Sequence, residues 1–116
     1  MNYSSFEQGS IVIAKLMFSN QQEAKTRPIL IVSKTDYNQK SRDIVVLKIT
    51  SADKKTAYAV KLSNKDMEKG ELKNDSFISI DFVTTLEKNI TGQEIAKISK
   101  EKLAEVKQKI RELYDL

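Results

Sequence analysis

Apolar residues come along this chain in short runs separated by polar stretches, and the period of each run predicts an element. Residues 10–18 (Ser-Ile-Val-Ile-Ala-Lys-Leu-Met-Phe), introduced by Gly9, read as a first strand. Ile29-Leu30-Ile31-Val32 is apolar throughout and rich in β-branched residues, the pattern of a buried strand. Residues 43–49 read as another, mostly buried strand, while 56–62 alternates as a half-exposed strand does. Residues 72–81 and 82–86 predict two more, and after a break at 89–92 a last short strand covers 94–98. Ser63, with Asp66 following and Gly70 as a stop, predicts a helical turn or two over 64–69. Ser99 caps a terminal helix whose Leu103, Val106, Ile110 and Leu113 fall on one face. Two polar segments remain. Residues 34–42 carry the turn-forming Asp36-Tyr37-Asn38, and 19–26 holds no large apolar side chain and is expected to be a mobile loop.

Five to seven short strands with one terminal helix imply a mainly β fold, a small, strongly bent sheet or barrel. The 116 residues suffice for one modest core, so residues 1–116 are expected to form a single domain. The start of the chain has neither a basic nor a hydrophobic segment, and no apolar run approaches the roughly 20 residues of a membrane span. A cytoplasmic location without membrane partners is the expectation.

Composition narrows the chemistry. The chain has no cysteine and no histidine. Disulfides, thiolate or imidazole metal sites and His-based acid/base pairs are therefore excluded, and neither metal nor cofactor is expected. Any catalysis at neutral pH must use Arg, Lys, Asp, Glu, Tyr, Ser or Thr. Twenty basic against sixteen acidic residues leave a net charge of +4, which suits a polyanionic partner without requiring one.

Residues 25–33, Lys-Thr-Arg-Pro-Ile-Leu-Ile-Val-Ser, are the most informative stretch. Proline has no N–H and is tolerated at the first residue of a strand or on an edge. Arg27 is thus expected at the mouth of a rigid element, where its planar fork can hold a phosphate through two hydrogen bonds. Capping a strand or pairing with a carboxylate is the plainer alternative. Thr50 and Ser51 place two hydroxyls where the 43–49 strand gives way to a loop.

Taken in order, Gly9-Ser10-Ile11-Val12, a polar loop, Arg27-Pro28 with its apolar strand and Ser33, Asn38, Ile49-Thr50-Ser51, Gly70-x-Leu72 and Asp75 resemble the MazF/PemK toxin family. The resemblance implies a Src-homology-3-like β-barrel with appended helices, forming a homodimer. It implies a ribosome-independent endoribonuclease that cuts single-stranded RNA at short motifs and is silenced by an antitoxin with an acidic, disordered tail. It further implies that Arg27 and Thr50 carry the chemistry, joined by Asp75. Ser51, Lys73, Lys25 and Asn38 are the expected substrate contacts. Lys73 stands where some members have an arginine, and a histidine found in the first loop of some members has no counterpart here.

Metal-free cleavage by the neighbouring 2′-OH needs a base, a donor for the leaving 5′-oxygen, and groups that stabilise the phosphorane oxygens. A guanidinium keeps its proton at neutral pH, so Arg27 suits the third role. Asp75 is the carboxylate available as base, and Lys73 a possible donor. Tyr37, Asn38, Phe77 and the 19–26 loop are candidates for contacting bases. Two other functions fit the same barrel: a CcdB-like protein-binding toxin that poisons gyrase through its terminal helix and not a nuclease site, and a catalytically degenerate RNA-binding barrel.

Overall fold

The computed structural model describes residues 6–16, 25–52 and 55–116. Seven strands form one antiparallel sheet: β1 (Ser10–Leu16), β2 (Lys25–Ile31), β3 (Asp43–Thr50), β4 (Ala59–Leu62), β5 (Met67–Gly70), β6 (Ser76–Glu87) and β7 (Thr91–Ile98). The described residues also form two α-helices, α1 (Thr35–Lys40) and α2 (Lys100–Tyr114). The spatial order is β4-β6-β3-β2-β1-β7-β5, so the Arg-Pro strand β2 lies inside the sheet between β1 and β3.

Strand alternation sorts the apolar residues onto two faces. Ile11, Leu30, Leu47, Ile49, Ile78 and Ile98 belong to one buried cluster, closed by Val106 with Leu103, Ile110 and Leu113 of α2. Val12, Ala14, Ile29, Ile31, Ile44 and Val46 form a second cluster. Strand β2 contributes to both, which is why its sequence is apolar without alternation. The α2 stripe lies where the spacing predicts, and the Ser99 Oγ accepts from the Lys102 N–H at 3.1 Å as the N-cap.

Several local expectations need correction. Pro28 is the fourth residue of β2, in an interior strand rather than at a strand start or an edge. The β2–β3 ladder stops at Ile29↔Lys48, one residue short of the imino acid that has no N–H to continue it. The polar 34–42 segment contains the helix α1 rather than turns alone. Residues 64–69 split into a 3-10 turn (Asn64–Asp66) and β5, because Met67 packs on the core and 67–70 pairs with β7. The Ser63 cap survives, its N–H donating to Asp66 Oδ2 at 2.9 Å.

The two strands expected over 72–86 are one strand, β6, interrupted in register. Leu47 faces Val83 and Lys48 faces Ser79, so residues 80–82 bulge out of the ladder and bend the sheet. The last strand is longer than expected, starting at Thr91. Most of the expected 19–26 loop lies outside the described residues, and its last two residues, Lys25 and Thr26, begin β2.

Candidate functional site

The site opens where β2 and β3 part. Beyond Ile29↔Lys48 the strands enclose a groove of about 610 Å³ whose opposite wall is the β5–β6 connection. Its apolar floor is Ile13, Pro28, Ile49 and Ile95, one residue from each of four neighbouring strands. Arg27 and Thr50 line it. Both lie past the last laddered pair, Arg27 two residues before Ile29 and Thr50 two residues after Lys48, where the two strands have parted.

Thr50 is held by its own turn. Its Oγ1 accepts from the Ala52 N–H at 3.1 Å, which leaves the hydroxyl proton to be donated. Ser51, next in the chain, also lines the groove. Across from them Lys73 brings a second cation, beside Glu71 and Asn74.

The 71–75 segment is positioned from its stem. Gly70 has φ +75°, and a Cβ there would stand 2.2 Å from the Ile95 carbonyl oxygen, so only glycine lets β5 run this close to β7. Asn64 then grips the next turn at two points. Its Oδ1 accepts from the Leu72 N–H at 2.8 Å, and its Nδ2 donates to the Leu72 carbonyl at 3.1 Å. Leu72 itself is buried in the core, which anchors the segment from below.

Of the residues expected from sequence, the groove brings together Arg27, Thr50, Ser51 and Lys73. Lys25 is exposed two residues before Arg27 on the same strand face, outside the groove lining. Asp75 is exposed but also outside the lining, although Asn74 and Ser76 on either side contribute to it. The carboxylate in the groove wall is Glu71, which sequence reasoning passed over. Its only signal was its place inside the Gly70-x-Leu72 turn.

Asn38 is a correction. It is fully buried in α1, at the other end of β2, and cannot meet a substrate. Its Nδ2 donates to the carbonyls of Phe6 at 2.6 Å and Ser33 at 2.9 Å, while its Oδ1 accepts from the Ser33 hydroxyl. Nothing in the spacing of the sequence indicated Asn64, whose partner is eight residues away.

Among the described residues, a clearly perturbed pair lies away from this groove. A hydrogen bond from Lys97 Nζ to Glu7 at 2.9 Å lowers the Glu7 carboxyl below its ordinary range and raises the Lys97 ammonium above its own.

Among solved structures, the fold closely resembles three toxins. One is an endoribonuclease in complex with its cognate antitoxin from a mycobacterial species (TM-score 0.78, 17% identity, 95% of each chain). Another is the Mycobacterium tuberculosis toxin MazF-mt6 (TM-score 0.76, 22% identity, 92% of this chain and 97% of that one). A third is the MazE-MazF complex from Deinococcus radiodurans (TM-score 0.75, 20% identity, 95% and 96%). At these identities the likeness speaks for the fold alone. None of the curated proteins matches the sequence. A family model does, over residues 7–114, a span that includes every residue of the groove. With strand order, groove and sequence pattern in agreement, the chain belongs to the PemK-like, MazF-like toxins of type II toxin-antitoxin systems.

Proposed function

We propose that this toxin is a metal-independent endoribonuclease that cleaves single-stranded RNA at the groove between Arg27 and Thr50. The observation that supports the reading is that Arg27 and Thr50 line one groove, past the point where the β2–β3 ladder ends. A phosphodiester seated there meets a fork of N–H donors on one side and a hydroxyl donor on the other. Both strengthen their bonds as charge builds on the phosphorane oxygens.

The ribose 2′-oxygen attacks phosphorus and the bond to the 5′-oxygen breaks. The products are a 2′,3′-cyclic phosphate and a 5′-OH end. Glu71, rather than Asp75, is the carboxylate in the groove wall and takes the 2′-OH proton; the departing 5′-oxygen is protonated by Lys73 or by solvent. Ser51 and Asn74 bind the flanking nucleotide.

The same cations explain silencing. An acidic antitoxin tail competes with RNA for Arg27 and Lys73, in keeping with the antitoxin complexes of structurally similar toxins. As the family resemblance implies, the active form is a homodimer.

Incubating wild-type protein and Arg27→Ala with RNA in excess EDTA, and mapping the ends, tests the reading. Cyclic-phosphate ends from the wild type alone are expected. Cleavage that requires a metal, or that persists without Arg27, would overturn it. Growth arrest with intact RNA and trapped DNA–gyrase breaks would instead establish the gyrase-poison function.

A further inference from the structure

Beyond the groove, the sheet carries a second cavity of about 310 Å³, lined by Thr56, Ala59, Ser79, Asp81 and Phe82. Two features set it apart from an accidental surface dent. Ser79 is only 4% exposed, and its Oγ has no hydrogen-bond partner among the described residues. A buried hydroxyl left this way costs stability unless something else satisfies it. The β6 bulge is the second feature. It takes residues 80–82 out of the β3 ladder, presenting the Asp81 carboxylate and the Phe82 ring at the cavity mouth.

Strand register ties this cavity to the groove. Thr50 faces Phe77 and Lys48 faces Ser79 across β3 and β6, so Ser79 shares a strand face with Thr50. One strand spacing and two residues of offset separate Ser79 from Thr50, a distance on the order of 8 Å. Phe77, part-buried, stands between them. Lys48 Nζ sits 5.0 Å from the centroid of the Phe82 ring, a cation beside an aromatic surface.

We infer that this cavity is a nucleobase subsite, resting on the ribonuclease reading, which holds a base flanking the cut. Phe82 supplies the stacking surface and Lys48 the charge for the nucleotide's phosphate. Ser79 and Asp81 meet the base edge. A carboxylate accepts from exocyclic amino groups. Adenine, cytosine and guanine carry one. Uracil has only an imide N–H flanked by two carbonyl oxygens that a carboxylate repels. The subsite therefore favours the amino-bearing bases and contributes to the sequence choice of the toxin.

The test is an amide-resolved NMR titration of the intact protein with AMP, CMP, GMP and UMP separately. Expected are saturable shifts at Thr56, Ser79, Asp81 and Phe82, with at least one amino-bearing nucleotide binding about tenfold tighter than UMP, within what one stacked and hydrogen-bonded base supplies. Asp81→Asn should erase that preference and Phe82→Leu should weaken all four. Both positions are exposed, so the variants fold. Absence of shifts in the cavity, or a response to the four nucleotides that Asp81→Asn leaves unaltered, overturns the inference. The titration needs no cleavage, so a protein that binds nucleotides here but cuts no RNA ends the ribonuclease reading and keeps the subsite. Conversely, a wild type that cuts RNA at the same sites as Asp81→Asn removes the subsite from specificity and keeps the ribonuclease.

Discussion

Two polar clusters lie at opposite ends of β2, and they differ in what encloses them: one is sealed in the interior, the other lines an open groove. At the far end Asn38 is buried, both amide donors reach carbonyls, and its oxygen accepts from Ser33. The Ser33 hydroxyl also receives the Val45 N–H at 2.9 Å, and Lys88 Nζ donates to the Asn38 carbonyl at 2.8 Å. This cluster stitches β2, α1, β3 and the segment before β1 together. At the near end, Arg27, Thr50 and Lys73 face a groove of about 610 Å³, where the ladder has already ended. Polar groups sealed inside the molecule hold a fold, whereas those lining an open cleft can meet a ligand.

The sharpest way to break this contrast is Arg27→Ala. Cleavage should fall roughly 10²–10³-fold, the usual effect of losing one transition-state donor, with the unfolding midpoint unchanged. A fall in stability of comparable size would make Arg27 a structural residue. Asn38→Ala should do the opposite. It removes the side chain's three hydrogen bonds from a dry site and should cost about 2–4 kcal/mol in denaturant unfolding, with cleavage by the folded fraction retained.

Gly70→Ala probes the boundary between the two behaviours. Its positive φ and the Ile95 carbonyl in the way should cost about 2 kcal/mol or more and shift the 71–75 wall. Both stability and cleavage should drop. Lys97→Met should matter least. The lowered Glu7 carboxyl contributes stability above its unfolded value of 4.5, lost as pH falls through its folded value. The raised Lys97 ammonium contributes below 10.5, lost as pH climbs through its folded value. Between those limits the variant should be less stable by well under 1 kcal/mol, since the pair is screened by solvent. The difference should shrink in acid, as pH-dependent thermal melts would show.

Much of this was legible in the sequence because apolar period and strand burial go together. The uninterrupted Ile29-Leu30-Ile31 marked a strand between two packed faces, and the α2 stripe named its own contacts. Arg27 and Thr50 were legible through the resemblance and through position, at the start of one strand and the end of another. Asn38 misled because its type is common both at binding surfaces and inside helix–strand junctions, and only burial separates the two. Glu71 and Asn64 were missed for a related reason. Their importance comes from long-range pairing of β5 with β7 and from the two-point grip on Leu72, neither of which leaves a periodic trace. The β6 bulge is likewise set by β3 and β4 on either side of that strand, not by β6 alone.

Central to the account is that Arg27 and Thr50 act on one phosphate across the gap between β2 and β3. A double-mutant cycle of Arg27→Lys and Thr50→Val in single-turnover RNA cleavage tests this most directly. A large loss is expected for Arg27→Lys, which keeps the charge but not the fork, and a much smaller cost of Thr50→Val in that background than in the wild type. Fully additive losses, or an Arg27→Lys variant as active as the wild type, would contradict it.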